Sequence, residues 1–219
     1  MTINKILDKL WQDGTEFVSL NRLRKVSKNL YYNYSTMIKY LISRGFLYKV
    51  LNDVYYVRSQ ETLNSVNENL KYTSYELISK ALNFIDVENW YFGLYTALRF
   101  HAPSFKNNTG DYLIFSNTPV IRNKFIVCEQ EFQIIRLKPT LFNFGILQKE
   151  NEVKYSDLEK TILDLVYLWQ SSNTPNHKIK AEIFKYSKLL STDKIKSYSS
   201  HYPDEIKHLM GEILKGASI

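Results

Sequence analysis

The sequence predicts an α+β protein in two parts: a small basic unit of short helices closed by a β-hairpin, then a larger part with strands set between helices. Three observations predict it. Apolar residues recur at helical spacing before Gly45 and give way to two apolar-aromatic runs in RGFLYKVLNDVYYVR, residues 44–58. Residues 1–60 hold ten Lys/Arg against four acids, net +6, whereas residues 61–219 hold nineteen against eighteen, net +1. Residues 112–148 are rich in β-branched and aromatic side chains, and from Ser156 onward the spacing is helical again.

Taken in order, INKILDKLW places Ile3, Ile6, Leu7, Leu10 and Trp11 on one helical face, with Lys5, Asp8 and Lys9 opposite. Gly14 and Thr15 end that helix. SLNRLRKVS offers Ser19 as N-cap and buries Leu20, Leu23 and Val26, leaving Arg22, Arg24 and Lys25 outside. YSTMIKYLISRG turns Met37, Ile38, Leu41 and Ile42 inward and Ser35, Thr36, Lys39, Tyr40 and Ser43 outward, with Gly45 as its stop. The hairpin that follows turns at Asn52-Asp53, two residues that tolerate positive φ. Three short helices and a hairpin describe a winged helix-turn-helix over residues 1–60, with the hairpin as the wing.

In that geometry the third helix enters the DNA major groove by its N-terminal residues and the helix before it lies across the backbone. The candidate DNA-binding residues are therefore Arg22, Lys25, Lys28, Asn33, Ser35, Thr36, Lys39, Tyr40, Lys49 and Asn52. Short side chains at 35 and 36 permit close approach, and Lys39 and Tyr40 are long enough to reach a base or phosphate. The concentrated positive charge suits a phosphate backbone; it also suits a merely solvated surface, and small trihelical units serve protein contacts too. The usual RNA modules are not matched, for there is neither a glycine-rich clamp nor their aromatic sheet signature.

Residues 61–72 are polar with scattered apolar positions and read as a linker. Residues 73–219 form the second domain. SYELISKALNFI is helical, and WYFGLYTALRFH begins as a strand and becomes a helix. DYLIFSN, IRNKFIVCEQEFQIIRL and LFNFGILQ supply four or five strands, and three helical segments close the chain. The domain is mixed α+β with mainly antiparallel strands and C-terminal helices.

No apolar run spans a membrane and the start lacks an apolar signal region, so a soluble, cytoplasmic protein is expected. Cys128 is the single cysteine, which rules out an internal disulfide and a thiolate zinc cluster, and its place in an apolar run suits a buried structural role. The four histidines lack metal-ligand spacing. No phosphate loop, dinucleotide fingerprint, nucleophile elbow, HExxH motif or close aspartate pair is present, so neither an enzyme, a cofactor nor a metal is expected. The densest polar cluster is Asp157, Glu159, Lys160 and Asp164 in YSDLEKTILDL. Local physics reads it as a core helix: Ser156 as N-cap with Glu159 in a capping box, and Leu158, Ile162, Leu165, Val166 and Trp169 as the buried stripe.

The wing RGFLYKVLNDVYYVR, then YFGLYTALRFH, then strands, then YSDLEKTILDLVYL, resembles in order the AbiEi-type antitoxins, a family also described as predicted transcriptional regulators of viral defence. The matching residues are Ala97-Leu98 and, on the later helix, Glu159, Lys160, Thr161 and Asp164. The resemblance reaches to about residue 170. Asn52-Asp53 departs from the Gly that this family commonly carries before the last wing strand. What the resemblance implies is an antitoxin of a type IV toxin-antitoxin system in phage abortive infection. Its winged helix would repress its own operon at inverted repeats, and its C-terminal domain would neutralise a nucleotidyltransferase-like toxin without an obligatory stable complex. An inverted repeat is matched by two copies of the chain, hence a homodimer on DNA. A winged-helix regulator whose C-terminal domain senses a ligand or partner stays open beside it, as does a nucleic-acid enzyme targeted by the winged helix.

Overall fold

The computed structural model describes residues 2–12, 14–31, 33–59, 70–101, 112–118 and 124–217. The chain divides into two compact units. The first comprises residues 1–88 with 124–131, the second residues 89–123 with 132–219. Most of the linker expected at 61–72 lies outside the described residues; the helix after it groups with the first unit, so the division falls at 88/89.

In the first unit the order is α1 (Thr2–Gln12), β1 (Phe17–Ser19), α2 (Leu20–Asn29), α3 (Tyr34–Ser43), β2 (Leu47–Leu51), β3 (Val54–Val57) and α4 (Ser74–Phe84). Ile6, Leu7 and Leu10 of α1, Leu23 and Val26 of α2, Met37, Ile38 and Leu41 of α3, and Leu47, Tyr55 and Val57 of the strands form one core. The α1 stripe is thus seated as its spacing predicts, while the side chain of Ile3 lies outside the described residues. Ile42, expected inward, is 40% exposed, because Leu41 beside it takes the core-facing position at 0% exposure and the next residue lies about 100° further round the helix. β1, missed in the sequence for its three residues, pairs antiparallel with β3 and completes a β1-β3-β2 sheet. α4 opens with a capping box between Thr73 and Glu76.

The hairpin turns at Asn52-Asp53 as expected, but by different backbone chemistry. Neither residue is among those with positive φ. Instead the register slips between Lys49 and Leu51, leaving Val50 as an extra residue before the turn. The Asp53 carbonyl also accepts a 2.8 Å bond from the Leu20 N–H, fixing the turn to the start of α2. Residues 124–131 hold β6 (Phe125–Val127) and the start of β7 (Gln130–Arg136), with the tight turn at Cys128 and Glu129, φ 48° and 63°. Cys128 is therefore a half-exposed turn residue rather than a buried strand residue. Its N–H donates to the Tyr48 hydroxyl at 2.6 Å, and partial burial pushes its thiol upward.

The second unit runs β4 (Trp90–Gly93), α5 (Leu94–His101), β5 (Tyr112–Ser116), β7, β8 (Ile146–Gln148), β9 (Lys154–Ser156), α6 (Leu158–Ser171), α7 (Asn176–Phe184), α8 (Thr192–Ser199) and α9 (Asp204–Ala217). Its strands lie in the order β7-β5-β4-β9-β8. β4–β5 and β8–β9 are antiparallel, whereas β4–β9 and β5–β7 are parallel. The sheet is mixed because β9 and β7 each return to the sheet after a long excursion, which alternation of residue types does not encode. The strand β9 and the short helix α8 had no counterpart in the sequence reading. Leu94 takes φ 51° at the corner between β4 and α5, a strained position for a branched side chain. Gly93 before it is required by close approach: a Cβ there would overlap the Phe115 ring. One core joins Tyr91, Leu98, Phe115, Ile162, Val166, Ile183 and Ile206.

Candidate functional site

Two sets of residues carry the sequence expectations, one in each unit. In the first unit, Ser19 caps α2 through its hydroxyl, 3.2 Å from the Arg22 N–H. Burial of Leu23, Val26 and Ser27 then leaves Arg22, Lys25 and Lys28 exposed at three-residue intervals along one face of α2. α3 begins under Asn33, whose side-chain oxygen accepts from the N–H groups of Ser35 at 3.0 Å and Thr36 at 3.2 Å. With Met37, Ile38 and Leu41 inward, Ser35, Thr36, Lys39, Tyr40 and Ser43 occupy the outward face. Lys49 and Asn52 are exposed on the hairpin. All ten residues expected to meet DNA are thus on the surface of this unit, on α2, α3 and the hairpin.

Asn33 has a role that spacing did not reveal, as the N-cap of α3. Its acceptor is committed to the helix start, so only its amide donor remains for a ligand. The sequence reading also missed two cation–π contacts. The Arg24 guanidinium lies over the Tyr34 ring at 5.0 Å and that of Arg44 over Tyr40 at 5.6 Å, which holds Tyr40 against the polar face of α3. Tyr31, between α2 and α3, is 99% exposed at φ 55°.

In the second unit, Glu159, Lys160, Thr161 and Asp164 fall in the first turns of α6, where every residue from Glu159 to Val166 is buried. The cap differs from expectation. Asp157, not Ser156, is the N-cap, accepting from the Lys160 N–H at 2.9 Å, because Ser156 is still paired in β9. The Ser156 hydroxyl instead meets that of Thr161 at 2.6 Å. Glu159 turns away from the expected capping box and accepts from the Ser191 N–H at 2.9 Å, at the start of α8. Asp157 accepts from the Tyr198 hydroxyl at 3.0 Å, and Lys194 bridges Asp157 and Glu159 at 3.4 and 3.5 Å. The two carboxylates thereby hold α8 to α6. Ala97 and Leu98 are wholly buried in α5.

Beneath that clamp, Lys160 and Asp164 are both 0% exposed and lie 3.4 Å apart. The phenols of Tyr91 and Tyr202 donate to the two oxygens of Asp164 at 2.8 and 2.7 Å. The Lys160 ammonium sits 4.7 Å from the Tyr91 ring centre and 4.5 Å from that of Phe144. Burial pushes the Asp164 carboxyl up against the pull of Lys160 and the two phenols, and burial likewise lowers Lys160. Tyr91 and Tyr202 are pushed up by burial and by the neighbouring carboxylate. Gly145 makes room for this arrangement. Its φ is +62°, and a Cβ would stand 2.8 Å from the Lys160 Cβ and 3.0 Å from the Tyr198 ring. The cluster has the makings of a buried structural knot, since solvent does not reach its charged atoms.

His101 bonds the Ser156 carbonyl at 2.8 Å, His201 stacks on Phe144, and His177 is exposed. Among the described residues no group of His, Cys, Asp and Glu could hold a metal ion, and no helix is long and apolar enough to cross a membrane.

With this geometry in view, comparison with known proteins adds a fold. The chain is similar to the solved structure of the RV2827C protein from Mycobacterium tuberculosis. The TM-score is 0.57 at 10% sequence identity, over 98% of this chain and 76% of that one. At that identity the likeness concerns the fold alone. No protein-family model and no curated protein matches the sequence.

Proposed function

We propose that the first unit is a winged helix-turn-helix that binds double-stranded DNA, and that the protein is an antitoxin repressing its own toxin-antitoxin operon. The observation that carries the DNA-binding half is the outward face of α3. Ser35, Thr36, Lys39 and Tyr40 are exposed there, with Ile42 partly exposed toward the end of the helix, and the same unit exposes Arg22, Lys25 and Lys28 on α2 and Lys49 and Asn52 on the hairpin. A helix that merely supported the core has no need to start its solvent face with two small hydroxyl side chains and follow them with a lysine and a pinned tyrosine. The helix-strand-helix-helix-hairpin order, with β1 added to the hairpin, supports the same reading.

In this reading Arg22, Lys25 and Lys28 contact phosphates, residues 35–40 address base edges, and the hairpin tip reaches a neighbouring groove or phosphate. Two copies occupy an inverted repeat in the promoter. Neutralisation of a nucleotidyltransferase-like toxin by the second unit rests on the likeness of Ala97-Leu98 and of the Glu159–Asp164 helix to AbiEi-type antitoxins, and on no contact residue. These motif residues are buried, so they act by holding the unit's shape.

The test is co-expression with the neighbouring toxin gene. Rescue of growth by the wild-type chain and by Lys39→Ala, which lies outside the second unit, supports separate functions. Failure of the wild-type chain to rescue would leave a DNA-binding regulator without a toxin.

A further inference from the structure

Between α2 and α3 the chain carries a residue that its own fold does not call for. Leu30 closes α2, and Tyr31 follows it at φ 55°, its N–H donating to the Lys28 carbonyl at 3.2 Å. The residue after a helix C-cap, in the left-handed region, is ordinarily glycine, because a Cβ is disfavoured there. Packing does not ask for tyrosine either. The ring is 99% exposed, the most exposed large hydrophobic side chain among the described residues.

We infer that Tyr31 is a DNA-backbone contact, its ring laid against a deoxyribose and its hydroxyl donating to a phosphate oxygen at the edge of the groove that α3 enters. The inference rests on the reading of the first unit as a DNA-binding winged helix-turn-helix, and adds to it a residue outside the ten expected from the sequence.

Charge and position carry it. From Phe17 to Asn52 the sequence holds seven Lys/Arg and no Asp or Glu, and all seven are exposed. Tyr31 stands within that stretch, so a partner met there is an anion. A phenolic hydroxyl donates to a phosphate oxygen in a charge-assisted bond, while the ring covers the apolar face of the sugar. Position separates backbone from base. Asn33 caps α3, and Ser35 and Thr36 open its outward face toward the groove. Tyr31 instead is tied by its N–H to the end of α2, three residues after Lys28, on the helix that lies across the backbone in this geometry. Tyr34, three residues on, already has the Arg24 guanidinium over its ring at 5.0 Å, whereas both faces of the Tyr31 ring are open.

The experiment uses the full chain as wild type, Tyr31→Phe and Tyr31→Gly. Each is titrated by anisotropy onto two fluorescein-labelled duplexes, the chain's own upstream DNA and a scrambled sequence of equal composition, across a salt series. Expected is a loss of affinity of about three- to tenfold for Tyr31→Phe and roughly tenfold or more for Tyr31→Gly, of the same size on both duplexes. The log-salt slope should stay as it is, because a neutral side chain displaces no counter-ion, unlike a lysine contact. The melting temperature should hold or rise in Tyr31→Gly, which relieves the positive φ, so weaker binding there is not weaker folding. Tyr31→Phe keeps both ring and backbone and decides the matter where glycine disturbs the turn. Undiminished affinity in both variants, beside a wild type that prefers its own DNA, overturns the inference and leaves the winged-helix reading standing. A loss confined to the native duplex makes Tyr31 a base reader and overturns the backbone assignment, and a loss that follows a lowered melting temperature in both variants assigns it to the fold. Wild-type binding that is absent, or identical on the two duplexes, contradicts the reading itself and removes the inference with it.

Discussion

Replacing Asp164 by alanine should be among the most damaging single changes in the second unit. The substitution removes the acceptor of two phenolic hydrogen bonds, from Tyr91 and Tyr202, and leaves the Lys160 ammonium at 0% exposure without its counter-ion. Breaking a buried ion pair by removing one partner costs about 3–5 kcal/mol, since the surviving charge stays desolvated. At about 2–4 °C per kcal/mol for a chain of this size, thermal unfolding of the unit should fall by about 6–20 °C. Asp164→Asn retains an acceptor for one phenol and should lose less. Lys160→Met should also lose less, because both phenols still donate to the Asp164 carboxylate. Urea unfolding followed by tryptophan fluorescence measures all three, with Trp90 and Trp169 both in this unit. An Asp164→Ala loss below about 1 kcal/mol, or a Lys160→Met loss equal to it, would refute the reasoning that a desolvated, hydrogen-bonded carboxylate organises the knot.

Other predictions concern single features. Glu16 is pushed up by partial burial, yet hydrogen bonds from Lys71 and Tyr72 outweigh this and hold it below its usual range. Its contribution to stability is therefore present above its unfolded value of 4.5 and is lost as pH falls through the lower folded value. Glu16→Gln should flatten the acid limb of a stability–pH curve below that point, and an unchanged limb would count against the contact. Gly93→Ala drives a methyl into the Phe115 ring and should cost about 1–3 kcal/mol by denaturant titration, whereas Gly211→Ala, with open space at its Cβ, should be neutral or stabilising. Lys39→Ala should weaken operator binding with the melting temperature unchanged, and loss of one phosphate contact among Arg22, Lys25 and Lys28 should reduce the log-salt slope by about 0.9.

Much of the first unit was legible because its periodicity is local. Ser19, Gly45 and the Asn52-Asp53 turn lie where spacing put them, and the polar face of α3 follows from Met37, Ile38 and Leu41 going inward. The three-residue β1 was not legible, since its strand character exists only through pairing with β3. In the second unit the segment types were readable but the topology was not. The parallel partners of β4 and β5 are set by contacts more than a dozen residues apart in sequence. The Glu159–Asp164 helix is the clearest case of tertiary structure overriding a local rule. Its sequence fits a capping box, yet pairing of Ser156 in β9 shifts the cap to Asp157 and releases Glu159 to hold α8. Nothing in the spacing revealed that Lys160 is wholly buried, because its partners Tyr91, Phe144 and Tyr202 come from three distant segments. A lysine three residues into a helix ordinarily reads as exposed.

The most direct test of the proposed function is fluorescence anisotropy of the purified chain on its own upstream DNA and on a scrambled duplex of equal composition, across a salt series. The prediction is tighter binding to the native duplex, with log affinity falling linearly in log salt and a footprint covering both halves of an inverted repeat. Equal affinity for the two duplexes, or no binding at moderate salt, would contradict it and assign the outward face of α3 to protein contacts.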